Sequence, residues 1–262
     1  MKFVDNKNNY IILGAGLPHA GSSPTALREP SFGKSVLEWI LEAYGAEVNN
    51  VIFVAGYRAD EIKLRYTSLK VVENIHWKKT GSFHSLLLAK PEITQPLYVS
   101  YGDVLFRKNL ITEMHKSKAD ITIAYDSLSK KLPNIPAKRE RVIVHDREAL
   151  RLGYDIPVKW SDGEFIGVVK FSVKVLDHLL KIETILGESS RVMNLSDAIE
   201  FLRGRGFNVH AIDVADACLF LIKNNLKIKY KIKKDFGGAK CPKFNVVGPV
   251  ELDNLKLAKM IA

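Results

Sequence analysis

The chain has 262 residues, 47% of them hydrophobic, and a formal net charge of +10 at pH 7. That is enough apolar material for one large α/β domain with a small appendage, and it excludes a disordered chain. No apolar run reaches the roughly 18 residues of a membrane span, and MKFVDNKNNY lacks the apolar stretch of a signal peptide, so the expected location is the cytoplasm.

Short apolar runs alternate with helix-like periods along the first half. YIIL precedes SVLEWILEAYG, VIFVAG precedes ADEIKLRY, LKVV precedes GSFHSLLLA, LYVSYGD precedes NLITEMHKS, and ADITIAY closes the series. A parallel strand connection needs a crossover of about a dozen residues, so this order predicts a parallel sheet covered on both faces, a Rossmann-like arrangement through Tyr125. From Asp126 to Asp162 the pattern loosens into RVIVHD and charged loops, an excursion expected near the site. A strand returns at EFIGVVKFS. It is followed by helices at SVKVLDHLLKI and NLSDAIEFLRGRG and by the strand FNVHAID. The remainder reads as a basic helix, a break at Gly237 and Gly238, a strand FNVVG and a helix from about Glu251.

The excess positive charge attracts polyanions in general. Much of it lies in KSK, SKKLPNIPAKRERVIV and KNNLKIKYKIKK, which read as solvated faces with little aromatic interleaving; neither nucleic acid nor a membrane is the expected partner. Cys218 and Cys241 suit a reducing compartment and have no assigned role. The histidines show no metal-ligand spacing.

The first strand empties into a long loop, GAGLPHAGSSPTALREPSFGKS. Gly14 and Gly16 begin a GxG, but the dinucleotide fingerprint needs a third glycine where His19 stands. A Walker loop ending at Gly33, Lys34 and Ser35 would need glycine at Arg28, and Ser22 follows Gly21 where lysine would be required, so spacing excludes a P-loop. A merely tight strand-to-helix turn takes two to six residues, and loops above about 12 in a compact domain are usually functional or disordered. Glycines that admit backbone N–H groups, with a basic residue just before a helix, make a triphosphate cradle. In open α/β sheets ligands bind outside the carboxyl ends of strands, where this loop begins.

A strand, GAG, a long loop, Lys34 and the helix SVLEWIL together resemble the signature loop of the nucleotidyltransferases that join sugar phosphates or alcohol phosphates to a nucleotide. ENIHWKKTGSFHSLLLA is similar to the next element of that family, especially of its cytidylyltransferase branch. The resemblance implies a mixed, mostly parallel Rossmann-like sheet with helices on both faces, of the nucleotide-diphospho-sugar transferase type. It also implies Mg²⁺-dependent transfer from an NTP, with CTP favoured over UTP or dTTP, to a sugar 1-phosphate or small alcohol or phosphonate phosphate. Lys34 matches the family's lysine, and Arg28 is the candidate substitute for the loop arginine, because HAGSS occupies the usual place. Leu13, Gly14, Ala15 and Gly16, with Thr80, Gly81, Ser82 and Ser85, would hold the nucleotide. Thr80 or Ser82 also reads as a simple helix N-cap. Asp103, at the exit of LYVSYGD, would hold Mg²⁺ with Asp213, whose alternative role is a helix N-cap; Asp216 lies three residues on. A carboxylate ending a buried strand is costly unless solvated, capped or metal-bound. GEFIGVVKFS resembles the acceptor-side element, with Glu164 and Gly167 near the second substrate and Lys170 as a phosphate contact.

HAIDVADACLFLIKN and KFNVVGPVELDNLKLAKMIA resemble the late part of extended short-chain dehydrogenases and epimerases. No NAD loop or Tyr-xxx-Lys pair stands upstream: Tyr154 is followed by DIPV, with Lys159 five positions away. The expected division is a nucleotidyltransferase domain over 1–225 and a strand-helix extension over 226–262, a fragment or relic of a fused epimerase domain. Two rival functions follow: an NAD-dependent epimerase or reductase fragment, and a non-catalytic nucleotide-binding module.

Overall fold

The computed structural model describes residues 9–18, 22–29, 33–91, 94–131, 139–215 and 220–221. Strand β1 (Asn9–Gly14) is central: Ile11 and Ile12 point to opposite faces and both are fully buried. It lies between β2 (Val51–Ala55) and β4 (Leu97–Tyr101), parallel to both, and β3 (Lys70–Glu73) extends the block beyond β2. The crossovers are α1 (Val36–Tyr44), α2 (Ala59–Arg65) and α3 (Ser82–Leu88). Helix α1 opens on a capping box, Ser35 with Glu38, and stops at Gly45 in the left-handed region, the signals that sharpen a helix start and end.

Beyond β4 come β5 (Val104–Leu105), α4 (Lys108–Lys116) and β6 (Ile121–Asp126), then a hairpin of β7 (Arg141–His145) and β8 (Glu148–Gly153). They are followed by β9 (Gly163–Phe171), α5 (Val173–Leu186), α6 (Leu195–Arg203) and β10 (Val209–Asp213). A short β11 (Phe220–Leu221) pairs with β5. The large sheet runs β3-β2-β1-β4-β9-β6-β10-β8-β7. β9 is antiparallel to β4 and β6, and β8 is antiparallel to β10 and β7; the other strands share one direction. The mixed, mostly parallel sheet expected from the sequence is therefore present.

The sheet carries a core on each face. α1, α2 and α4 cover one side through Leu37, Ile40, Ile62 and Met114, while α3, α5 and α6 cover the other through Phe83, Leu86, Leu179 and Ile199. Two expectations change. The charged run at 139–141 is not a solvated face: Arg139, Glu140 and Arg141 are all buried where β7 begins to pair with β9. Strand β8 falls in a stretch that reads as loop, because Ala149, Leu152 and Gly153 are its only buried members and their spacing breaks the alternation. Asp216, the two cysteines and the epimerase-like stretch after Leu221 lie outside the described residues. Among the described residues no helix is long and apolar enough to cross a membrane.

Candidate active site

Strands β1, β4, β6 and β10 all end at one edge of the sheet, and most of the predicted site residues follow those ends. Leu13 receives the Gly102 N–H on its carbonyl at 2.8 Å, which ties the β1 exit to the turn that carries Asp103. Gly14 packs against the Phe53 ring so closely that a Cβ would lie 2.2 Å from it. Ala15 accepts the Tyr57 N–H, while Gly16 is exposed with nothing within 4 Å of a would-be Cβ. The loop beyond is pinned by residues the sequence did not single out: Tyr57 Oη and Arg58 Nη1 both donate to the Ser22 carbonyl, at 3.0 and 2.8 Å.

The two basic residues of the loop differ. Lys34 Nζ is 2.7 Å from Glu42 and 4.6 Å from the Trp39 ring centroid, on the outer side of α1. Arg28 is half-buried, its Nη2 is buried with no hydrogen-bond partner among the described residues, and its carbonyl receives the Val36 N–H that starts α1. Of the two cations, the lysine is held by Glu42 at the surface, while the arginine's Nη2 is turned into the protein.

Helix α3 begins at Gly81, with no side-chain cap, so the N-cap role considered for Thr80 and Ser82 is not what these hydroxyls do. Asn74 Nδ2 donates to Thr80 Oγ1 at 2.9 Å and to the buried Ser85 Oγ at 3.0 Å, fixing the turn before the helix from beneath. Gly81 donates its N–H to the Arg191 carbonyl at 2.7 Å, and a Cβ there would stand 1.9 Å from the Met193 carbonyl oxygen. Only glycine lets this turn press against the chain that leads into α6.

Asp103 occupies the turn between β4 and β5, half-buried and engaged. Asp213 ends β10 in the same direction, exposed, with Oδ1 accepting the N–H groups of Ser127 at 3.2 Å and Ala215 at 3.0 Å. These bonds order the loop after β10, and they leave Oδ2 without a hydrogen-bond partner among the described residues. Carboxylates suit a hard divalent cation, and β9 and β6 stand in the sheet between the strands that carry these two. No group of three or more His, Cys, Asp or Glu side chains that could hold a metal occurs among the described residues. On the α4 side of β10, a cavity of ≈ 630 Å³ is lined by Lys116, Arg147 and His210 and reaches Asp213, the one predicted site residue it touches.

The three residues expected on the acceptor side lie inside the protein. Lys170 faces Tyr98 and Thr122 towards the opposite edge of the sheet. It is buried, and its Nζ donates to the carbonyls of Met114 at 3.0 Å and Ser117 at 2.8 Å, closing the C-terminus of α4. Burial pushes its ammonium below the usual lysine range. Glu164 is 4% exposed and forms a buried ion pair with Arg139. Gly167 is buried with φ +78, and a Cβ would meet the Tyr101 ring at 2.0 Å; it makes the seat for that ring.

Tyr101 leads to the group that sequence reasoning missed. Its hydroxyl donates to both oxygens of Glu140, at 3.1 and 3.0 Å, and Ser196 Oγ donates to Glu140 at 2.6 Å. Ser82 Oγ lies 3.3 Å from the Tyr101 hydroxyl and accepts the Leu195 N–H at 2.8 Å. Burial holds the Glu140 carboxyl up at about 7, against the donors from Ser196 and Tyr101.

This is the fold of nucleotide-diphospho-sugar transferases. It superposes on inositol-1-phosphate CTP transferase from T. maritima with a TM-score of 0.63 at 19% identity, over 83% of this chain and 89% of that one. It superposes on CTP:phosphocholine cytidylyltransferase from Streptococcus pneumoniae with a TM-score of 0.58 at 20% identity, over 83% and 94%. In sequence the chain is 26% identical over 203 residues to CTP:phosphoglutamine cytidylyltransferase from Campylobacter jejuni, covering 68% of this chain and 78% of that one. No protein-family model matches. In both sequence and fold, the chain resembles cytidylyltransferase-like nucleotidyltransferases.

Proposed function

We propose that the protein transfers a nucleoside monophosphate from an NTP, CTP above others, to a small phosphorylated alcohol, amide, sugar or phosphonate, releasing pyrophosphate. One observation carries this reading: the exit of β1 is tied to the Asp103 turn by the Leu13–Gly102 hydrogen bond, and the first residue of α3 is tied to the exit of β4 by the Ser82–Tyr101 contact. The similarity to a CTP-dependent phosphoglutamine enzyme supports the choice of base and of a phosphorylated small acceptor.

An acceptor phosphate oxygen attacks the α-phosphorus in line. The new O–P bond forms as the bond to the bridging oxygen breaks, and pyrophosphate carries away the electron pair. A phosphate monoester is already ionised near neutral pH, so no general base is needed, and catalysis rests on positioning and charge neutralisation. Arg28 would neutralise the triphosphate, joined by Lys34 once Glu42 releases it, while the backbone of 14–16 and the α3 turn seat the nucleotide. Asp103 and Asp213 would hold Mg²⁺, which supplies further neutralisation of phosphate oxygens.

A thermal-shift screen of CTP, UTP, dTTP, GTP, ATP, NAD and NADP, with and without Mg²⁺, tests the reading, because a ligand that binds only the folded state raises its midpoint. The expected result is stabilisation by CTP that Mg²⁺ strengthens. Stabilisation by NAD alone, or by nothing, contradicts it. The ion pair that holds Lys34 favours one rival, a nucleotide-binding module without turnover, which CTP would stabilise with no pyrophosphate released.

A further inference from the structure

Donors and acceptors around Glu140 form a directed chain. The Tyr101 O–H donates to the Glu140 oxygens, so the Tyr101 oxygen is left to accept from the Ser82 hydroxyl. The Ser82 oxygen in turn accepts the Leu195 N–H at the first turn of α6, and Ser196, one residue on, closes the circuit back to Glu140. The chain thus spans the exit of β4, the first residue of α3 and the start of α6, all from one buried acid. Gly167 keeps the Tyr101 ring in place, and the Glu140 carbonyl is itself held by the Phe165 N–H at 2.7 Å. The neighbouring charged and titratable groups are Arg139 and Glu164, which pair with each other, Asp197, which caps α6, and Tyr154, raised by burial and by the nearby Glu140 charge.

We infer that Glu140 is a positioning residue: through Tyr101 and Ser82 it aims the α3 turn at the nucleotide and holds the strand exit that carries Asp103. The inference rests on the nucleotidyltransferase reading and adds a residue to it that touches no substrate. A buried carboxylate without this task is a poor choice at such a place. An apolar residue would fill the space without desolvating a charge, and a half-satisfied network is worse than none. Burial near neutral pH also leaves Glu140 close to its ionisation point, which is tolerable only with all three hydroxyl donors of the chain in place.

The test uses the full chain and the variants Glu140→Gln, Tyr101→Phe and the double variant. Hydrogen exchange without substrate comes first: protection of the Leu195 amide and of residues 80–82 falls in each variant. Kinetics with CTP follow. Each single change raises the CTP KM roughly tenfold while kcat stays within about twofold, the worth of one lost charged hydrogen bond. The double variant is no worse than either single one, since both cut the same chain. Glu140→Ala, which also opens a cavity, exceeds Glu140→Gln. Unchanged exchange, or loosened exchange with an unchanged CTP KM, overturns the inference alone. A wild-type chain that binds no NTP overturns the functional reading, and this inference with it.

Discussion

On the β1 side of the sheet, Gly16 is exposed and, among the described residues, has no neighbour where a Cβ would stand and Arg28 Nη2 has no partner, whereas along β9 every predicted acceptor residue is committed to the protein itself. Lys170 closes a helix, Glu164 neutralises Arg139, and Gly167 seats a ring. The two regions looked alike as sequence, each offering glycine and a cation near a strand. The difference lies in burial: all nine residues of β9 are buried, so each polar group there had to find a partner inside. A long loop has no such obligation, and its polar groups remain available to a ligand.

Substitutions can break this comparison. Asp103→Asn is expected to lower turnover on the order of a hundredfold or more while the fold survives, because it removes charge from the open edge. Undiminished pyrophosphate release would remove Asp103 from the site. On the committed side, Gly167→Ala should cost roughly 2–4 kcal/mol in denaturant unfolding, from the Tyr101 clash and from a φ of +78 that L side chains resist.

Glu140 sharpens the contrast through pH. Its carboxyl ionises near 7 when folded against 4.5 for the ordinary glutamate, so between those values the folded chain holds a proton that the unfolded chain has lost. The contribution is fully present below about pH 4.5, declines as pH rises towards 7, and is flat above. Measured against Glu140→Gln, wild-type stability should therefore fall over that window by roughly 3 kcal/mol. A difference that stays constant with pH would contradict the buried acid.

Lys170→Met should cost roughly 1–2 kcal/mol of stability by freeing the two carbonyls of α4, with both KM values unchanged. A selective rise in the acceptor KM would restore its role as a phosphate contact. The smallest effects compare the two loop cations: Arg28→Ala should raise the NTP KM roughly tenfold and Lys34→Ala only about twofold, since Glu42 already holds the lysine. The reverse order would make Lys34, once released by Glu42, the main triphosphate contact in place of Arg28.

Much of the fold was legible because its elements follow simple periods. YIIL and VIFVA are continuous apolar runs bounded by turn residues, and SVLEWILEAYG carries its own cap at each end. The antiparallel course of β9 was not, because an unbroken buried run carries no mark of direction. Glu140 was hidden for a related reason. KRERV reads as solvated charge, and only the pairing of β7 with β9 and the contact of Glu140 with Ser196 of α6 take it out of water. Asn74 gave no signal either; one asparagine in ENIHW acquires its task only when Thr80 and Ser85 close over it. Glycine spacing and strand-end carboxylates pointed to the edge of the sheet, but which polar residues face outwards is decided by tertiary burial.

The most direct test of the central claim is a pyrophosphate-release assay with CTP and Mg²⁺ across small phosphorylated acceptors, phosphoglutamine, phosphocholine and inositol 1-phosphate among them, with UTP and dTTP in parallel. Release that requires both CTP and one acceptor, and that vanishes in Asp103→Asn, is the predicted result. No release with any NTP, although CTP stabilises the chain, would contradict catalysis and leave a nucleotide-binding module in its place.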